Sequence, residues 1–561
     1  MSASEVALRR MAALLAVLAV VLPMQILLAT SANAAGYVPI SGSGSTWSQN
    51  ALDQWRRNVN NLYGMTVNYS GNGSTSGRND FRAGQVDFAV SEIPYGLSDG
   101  GVLDPLPQRS FGYMPIVAGG TSFMYNLKIG TKRVANLRLS GDTITKIFTQ
   151  VIKSWDDPAI KADNPGLTLP ARKIVPVVRS DGSGATAQFT AWMASQYGSQ
   201  WDAYCRRAGR TVIPCGFTSF YPTTNDMVSK AQSQGVAGFV AQDSSEGAIT
   251  YVEYSYARNS GFPVAKVLNK ANYYVEPTAG SVAVALLQAK LHPDLTQDLS
   301  QVYINADPRT YPLSSYSYMI IPKDTSNNFN PEKGRTLSDF DYYFLCEGQQ
   351  QADSLGYSPL PINLVQSAID QVNQIPGATK KLDRNNLAGC HNPTVSPTGG
   401  NLIAQTAPQP QACDLKGATQ CATGTGGAAK ISTPTSNTGG ASSGAAGGGP
   451  AGGGGPGDAN AAGNSTGGAS GSLAAGADPS GGAGTTIDPA TGEVINGPSS
   501  LAGSGSSGVS AVPVSVDVAD NRRQVVLAVL AIVLLLGLVL GPPLVARNLR
   551  SRAGLPPGPP A

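Results

Sequence analysis

Arg179-Ser180-Asp181-Gly182-Ser183-Gly184-Ala185-Thr186 joins a strand-like run to a helix-like one. An apolar run from Lys173 to Val178 precedes it and reads as a strand; Phe189, Trp192 and Met193 follow on what reads as a helix. A glycine-serine loop between strand and helix turns main-chain N–H groups and a hydroxyl toward the positive end of a helix, which makes an oxyanion socket. Arg179 adds a full positive charge, and Asp181 stands where it can restrain that charge.

Similar junctions occur nearer the N-terminus. Tyr37 to Ile40 reads as a short strand that runs through Ser41-Gly42-Ser43-Gly44-Ser45-Thr46-Trp47 into a helix. That helix carries Ala51, Leu52, Trp55, Val59 and Leu62 on one face, and Thr46 with Gln49 fits a capping box at its start. Met65 to Ser70 alternates as a strand, and Gly71-Asn72-Gly73-Ser74-Thr75-Ser76-Gly77 leads into a short helix holding Phe81. Val86 to Val90 reads as a buried strand ending in Ser91-Glu92-Ile93-Pro94. Open α/β sheets bind ligands outside the carboxyl ends of their strands. The four segments therefore point to one anion site lined by neutral dipoles, Arg179 and one carboxylate.

Glu92 restricts what that anion can be. A carboxylate facing an anion repels it unless a proton lies between them. Hydrogen phosphate carries such a proton; sulfate at neutral pH does not. A site built around a ligand O–H can reject an analogue lacking it by roughly 10⁴–10⁵.

Composition sets the frame. Arg9-Arg10, an apolar stretch from Met11 to Leu28 and Ala32-Asn33-Ala34 read as a secretory signal over 1–34, cut before Ala35. The arginine pair raises twin-arginine export, although the residues after it do not strengthen that case. A second apolar segment, 524–546, is long enough for a ~30 Å hydrocarbon core, with Arg547, Arg550 and Arg552 in a cytoplasmic tail at 547–561. Between Pro393 and Asp520 there is no Phe, Tyr or Trp, so 393–523 is expected to be a disordered linker rich in Gly, Ala, Ser and Pro. The folded part is then 36–392, enough for two lobes.

Net charge is +3 with only 13% charged residues and no basic run in the folded part, which argues against nucleic acid as a partner. The six cysteines of an exported chain favour disulfides. Nearest-neighbour pairing (205–215, 346–390, 413–421) is the simplest of the connectivities open. None has metal-ligand spacing, so no metal or cofactor is expected. Gly96-Leu97-Ser98-Asp99-Gly100 matches a nucleophile elbow formally, but its neighbours read as an irregular turn, and the two histidines and absent P-loop argue against a hydrolase or NTPase.

Taken together the chain resembles the phosphate-binding proteins of bacterial phosphate ABC transporters, of the type II periplasmic-binding superfamily. The resemblance covers roughly Tyr37 to Ser367. Besides the loops it rests on Trp155-Asp156-Asp157-Pro158-Ala159-Ile160, Asn164-Pro165-Gly166-Leu167, Gly247-Ala248-Ile249-Thr250-Tyr251-Val252-Glu253-Tyr254, Tyr311-Pro312-Leu313 and Ile320-Ile321-Pro322-Lys323-Asp324.

The resemblance implies an α/β, two-lobed type II periplasmic-binding-protein fold, with lobe I at about 36–118 and 257–392 and lobe II at about 119–256. The chain would cross near Ala118-Gly119-Gly120 and return near Tyr251 to Tyr256. It implies inorganic phosphate in the interlobe cleft, held by Thr46 and the Trp47 amide, Ser74, Glu92, Arg179 restrained by Asp181, the Ser183 hydroxyl, and the amides of Gly184 and Ala185. Two of these depart from the family pattern, which has aspartate where Glu92 stands and threonine where Ala185 stands. Thr186 is the candidate to replace the missing hydroxyl. A membrane permease is the implied partner, and a monomer held at the cell membrane with its binding domain outside is expected. Two other readings stay open: a surface adhesion or sensing role on the same fold, and another protonated oxyanion such as arsenate or a phosphonate.

Overall fold

Each hydroxyl-rich junction forms at the end of a short strand. β1 (Ile40–Gly44) precedes α1 (Gln49–Tyr63), β2 (Val67–Ser70) precedes α2 (Ser74–Arg82), and β3 (Phe88–Ser91) ends one residue before Glu92. The structure, a computed structural model, describes residues 36–387, 389–394 and 400–436, with two short strands beyond them, Thr486–Ile487 and Val494–Ile495.

The later strands are β4 (Phe111–Tyr125), β5 (Val175–Arg179), β6 (Val228–Lys230), β7 (Ala248–Glu253) and β8 (Ser314–Pro322). Together the eight make one sheet in the order β6-β5-β7-β4-β8-β3-β1-β2. The outer groups are parallel, β1 with β2 and β3 on one side, β5 with β6 and β7 on the other. β4 joins them. Its residues Phe111 to Gly120 run antiparallel to β8, and Thr121 to Tyr125 run antiparallel to β7. This change of partner beside Gly119-Gly120 is where the outward crossing is expected.

The return crossing lies later than expected. Lys266–Leu268 still pairs with Arg138–Leu139 of the second lobe, and Phe262 and Val264 share a core cluster with Val177, Val236 and Val252. The chain rejoins the first lobe only after Val275, where α5 (Ala279–Leu286) packs against β4 and β8. The apolar residues past Tyr256 have their burial in the second lobe, and that overrides the earlier boundary.

Two details of α1 also differ. Its N-cap is Ser48, with no side-chain capping bond, because Thr46 Oγ1 is engaged elsewhere and Gln49 Oε1 accepts from Gln234 at 3.0 Å. Leu62 is 62% exposed, so the buried stripe is Ala51, Leu52, Trp55 and Val59. Trp55 stacks on Phe344 of α6 (Pro331–Leu345), ring centroids 5.2 Å apart, and donates to the Gly348 carbonyl. Burying each such ring contributes about 1.5–3 kcal/mol.

The disulfides are Cys205–Cys215, Cys346–Cys390 and Cys413–Cys421, the nearest-neighbour set. The third lies inside the segment expected to be linker, and that expectation is corrected from Gly400 to Ser436. α7 (Leu402–Thr406) seats Ala404 against Ala283 and Val284 of α5, and Arg309 donates to the carbonyls of Ala404 and Ala407. The chain then passes to the second lobe. Lys266 Nζ lies 2.8 Å from each oxygen of Asp414, Arg138 donates to the carbonyls of Cys413 and Thr419, and Ser436 N donates to Gly166 O at 3.0 Å. Hydrogen bonds and one buried ion pair hold this strap, so its lack of aromatic residues did not betray it. Thr486–Ile487 and Val494–Ile495 pair antiparallel, also inside the expected linker. The expected signal (1–34) and apolar span (524–546) lie outside the described residues, among which no helix is long and apolar enough to cross a membrane.

Candidate functional site

The residues singled out in the sequence meet between the two lobes. Gly44 holds φ +134°, and a Cβ there would stand 2.1 Å from Val90 O, so only glycine lets the first loop lie against β3. That approach brings Ser45 to Glu92, whose carboxyl is buried at 1% exposure. Ser45 Oγ donates to Glu92 Oε2 at 2.7 Å, Ser74 Oγ donates to the same oxygen at 2.9 Å, and Ser317 Oγ donates to Oε1 at 2.6 Å. Burial pushes the Glu92 carboxyl above the usual glutamate range, and the hydrogen bonds from Ser317, Ser45 and Ser74 pull against it.

The same hydroxyls collect the main-chain donors. Trp47 N donates to Ser45 Oγ at 3.0 Å, and Gly184 N donates to Ser74 Oγ at 3.0 Å. Gly184 opens α3 (Gly184–Gln196), with Ser183 as N-cap; Ser183 Oγ accepts from Thr186 N at 3.2 Å. The first turn of a second-lobe helix thus brings the Gly184 amide to a hydroxyl that itself donates to the first-lobe carboxylate.

A second cluster adjoins through Thr46. Ser233, in the first turn of α4 (Gln232–Val240), donates its amide to Thr46 Oγ1 at 3.1 Å, and the two hydroxyls are 2.8 Å apart. Arg179 Nη1 donates to Ser233 Oγ at 3.2 Å, while Arg179 Nε donates to Asp181 Oδ1 at 2.7 Å and Nη2 bonds Asp181 Oδ2. Burial alone would raise Asp181; the Arg179 hydrogen bond and charge outweigh it and hold the carboxyl below the usual aspartate range. Gln232 N donates to Asp181 Oδ1 at 2.9 Å, which fixes the restraint from a third direction. The pair is the one expected from the sequence: a guanidinium oriented by its neighbour two residues on.

Ala185 is buried in the same turn and offers no side chain. Thr186 does not stand in for the missing hydroxyl: its Oγ1 is 2.8 Å from Tyr251 OH, which also accepts from Arg179 N at 3.3 Å. Burial raises Tyr251 to about 12, so this hydroxyl stays neutral.

Five contributors carry no local signal that assigns them to the site. Ser45 lies in the first loop, next to Thr46, with no feature of its own to set it apart from Ser41 and Ser43. Ser233 sits at a strand-to-helix junction of the same kind, and the absence of glycine there hid it. Tyr256 OH donates to Thr46 O and Tyr357 OH donates to Trp47 O at 2.7 Å, so two tyrosines grip the carbonyls of the anion loop. Ser317 lies within a strand, where no local pattern marks it.

The elbow-like segment is no elbow. Ser98–Asp99 pairs antiparallel with Val102–Leu103, and Asp99 Oδ2 accepts from Ser219 N of the second lobe at 2.9 Å. With Thr75 N donating to Gly182 O at 3.1 Å, this contact closes the lobes around the site. No group of three or more His, Cys, Asp or Glu that could hold a metal occurs among the described residues.

Comparison with known proteins agrees with this architecture. A family model described as a PBP superfamily domain matches residues 29–347. The phosphate-binding protein PstS of Xylella fastidiosa (strain Temecula1) is 32% identical over 329 residues, 58% of this chain and 83% of that one. The phosphate-binding protein PstS 3 of Mycobacterium leprae is 30% identical over 333 residues, 58% of this chain and 84% of that one. Among solved structures, a periplasmic phosphate-binding protein (PfluDING) bound with phosphate aligns with a TM-score of 0.44 and 19% identity, over 62% of this chain and all of that one. The chain belongs to the PBP superfamily and, within it, to the family of the phosphate-binding proteins PstS.

Proposed function

We propose that the chain captures inorganic phosphate between its lobes and presents it to the membrane permease of an ABC transporter. The observation that carries this reading is Glu92: a buried carboxylate among hydroxyl donors, with the oriented Arg179 guanidinium in the adjoining cluster. A hydrogen-bearing oxyanion satisfies both, donating its O–H to Glu92 and accepting from the Arg179 guanidinium. The binding residues are Thr46, the Trp47 amide, Ser74, Glu92, Arg179 with Asp181, the Ser183 hydroxyl and the Gly184 and Ala185 amides. The relatives' name supports phosphate as that ligand. Capture and release need no bond to be made or broken: the ligand favours the closed arrangement of the lobes and shifts the equilibrium toward it.

The domain works outside the cell as a monomer, held by an apolar span at 524–546 through the residues after Ser436. Calorimetric titration of the full-length chain with phosphate, sulfate and arsenate tests the ligand. Phosphate binding with sulfate excluded is the expected result; no phosphate binding defeats the reading, and binding of arsenate alone reassigns the ligand. Membrane fractionation of the chain with and without 524–561 tests the anchor, which fails if both forms partition alike.

A further inference from the structure

The lone pairs of the Glu92 carboxylate are unevenly used. An ionised carboxylate offers about four acceptor directions over its two oxygens. Oε2 receives Ser45 and Ser74, while Oε1 receives Ser317 alone. Counting side-chain donors, Oε1 is the less engaged oxygen and the one that can accept a hydrogen that a ligand brings.

Ser317 differs from the other two donors. Ser45 and Ser74 each also accept a main-chain amide of the site, from Trp47 and Gly184. Ser317 accepts no such amide; it is fully buried in β8 and joined to Ser48 Oγ at 3.1 Å, on the N-cap of α1. The backbone is built to aim it. The β8–β4 register breaks between Ser317 and Tyr318: Ser317 faces Val117 but Tyr318 faces Pro115, leaving Ile116 as an extra residue on β4. A bulge of this kind bends the strand pair and redirects a side chain, and bulges gather beside functional sites.

We propose that Ser317 is a specificity-determining positioning residue, which fixes the Glu92 carboxylate so that one lone pair of Oε1 meets the ligand's hydrogen. The inference rests on the reading of the site as a phosphate receptor. Hydrogen bonds to a carboxylate favour its ionised form. Without Ser317, Glu92 protonates more readily, and a protonated Glu92 donates to an oxyanion that has no hydrogen of its own, such as sulfate. The other titratable or charged groups facing Glu92 are untouched by the change. They are Tyr69 on β2, kept neutral by burial, Arg78 on α2, whose Nη1 donates to Ser91 Oγ at 3.1 Å, the Arg179–Asp181 pair from the second lobe, and His292 and Asp298, which line the cavity that Glu92 borders.

The test titrates the full-length chain with inorganic phosphate and with sulfate from pH 5 to pH 8. Ser317→Ala is expected to keep phosphate affinity within about tenfold of the original. It should also move the pH at which sulfate first binds upward by about one unit, a tenfold change in proton affinity. Ser317→Thr retains the hydroxyl and should follow the original profile. Ser317→Cys, close in volume and a weak donor, carries the same expectation as alanine if the alanine variant does not fold. Glu92→Gln marks the end state, sulfate binding independent of pH. Profiles for Ser317→Ala and Ser317→Cys that superimpose on the original overturn this inference alone. An original chain that binds no phosphate overturns the underlying reading as well.

Discussion

A Cβ added to Gly184 would stand 1.7 Å from Glu92 Oε2, so the first residue of α3 and the buried carboxylate touch across the two lobes with no room for a methyl group. Gly184 opens α3 and does not lie in its interior, so once the lobes part Gly184→Ala should change thermal stability little. The same methyl should hold the lobes apart and lower phosphate affinity by at least about a hundredfold. Paired calorimetry and thermal melts check both halves; full affinity in this variant would separate Gly184 from the binding site.

The Arg179 guanidinium is clasped by Asp181 and joined to Ser233. Arg179→Ala removes charge-assisted hydrogen bonds to an anion and should reduce phosphate affinity by roughly a hundredfold or more. Arg179→Lys keeps charge but loses the fork that Asp181 holds, and should recover only part of the loss. Calorimetric affinity indistinguishable from the original in either variant would place the anion elsewhere.

Asp341, buried on α6, has no hydrogen-bond partner for either carboxylate oxygen among the described residues, and burial holds its carboxyl well above the usual aspartate range. The folded chain therefore keeps a proton that the unfolded chain releases. The stability this contributes is full below the ordinary aspartate value and is lost as pH rises through the raised one. Asp341→Asn removes that dependence, so its stability relative to the original should grow with pH, by about 1.4 kcal/mol for each unit within that window. Urea unfolding at pH 5 and pH 8 measures it; equal differences at the two values would mean the group titrates normally.

Lys266 and Asp414 form an ion pair with 11% and 7% of their side chains exposed, the pair that ties the strap to the second lobe. Removing one partner of a buried pair costs about 3–5 kcal/mol. Asp414→Ala should therefore loosen residues 400–436 first, seen as faster proteolysis within that segment while the rest of the domain resists. Unchanged cleavage would show that the main-chain bonds to Arg138 and Gly166 hold the strap by themselves.

The legible parts of this molecule were those with a local rule behind them. Short apolar runs followed by glycine and serine marked β1, β2 and β5 and the helices after them, because a strand that ends in small residues leaves amides free at the next helix. Arg179 and Asp181 are two residues apart, so their pairing could be read from the chain. Ser317 could not, since its role comes from a register break between strands whose paired residues are about 200 positions apart. Ser233 lacked the glycine cue. The strap was misread because low aromatic content signals disorder only when burial of apolar surface is the means of attachment, and here Arg138, Lys266 and Arg309 attach it through polar bonds.

The strap has a mechanical corollary. The strap runs on to Ser436, whose amide is bonded to Gly166 in the second lobe, whereas the matched family domain stops at residue 347. A pull applied at Ser436 therefore meets the second lobe first, at Gly166, and only then the strap that Cys413–Cys421 staples.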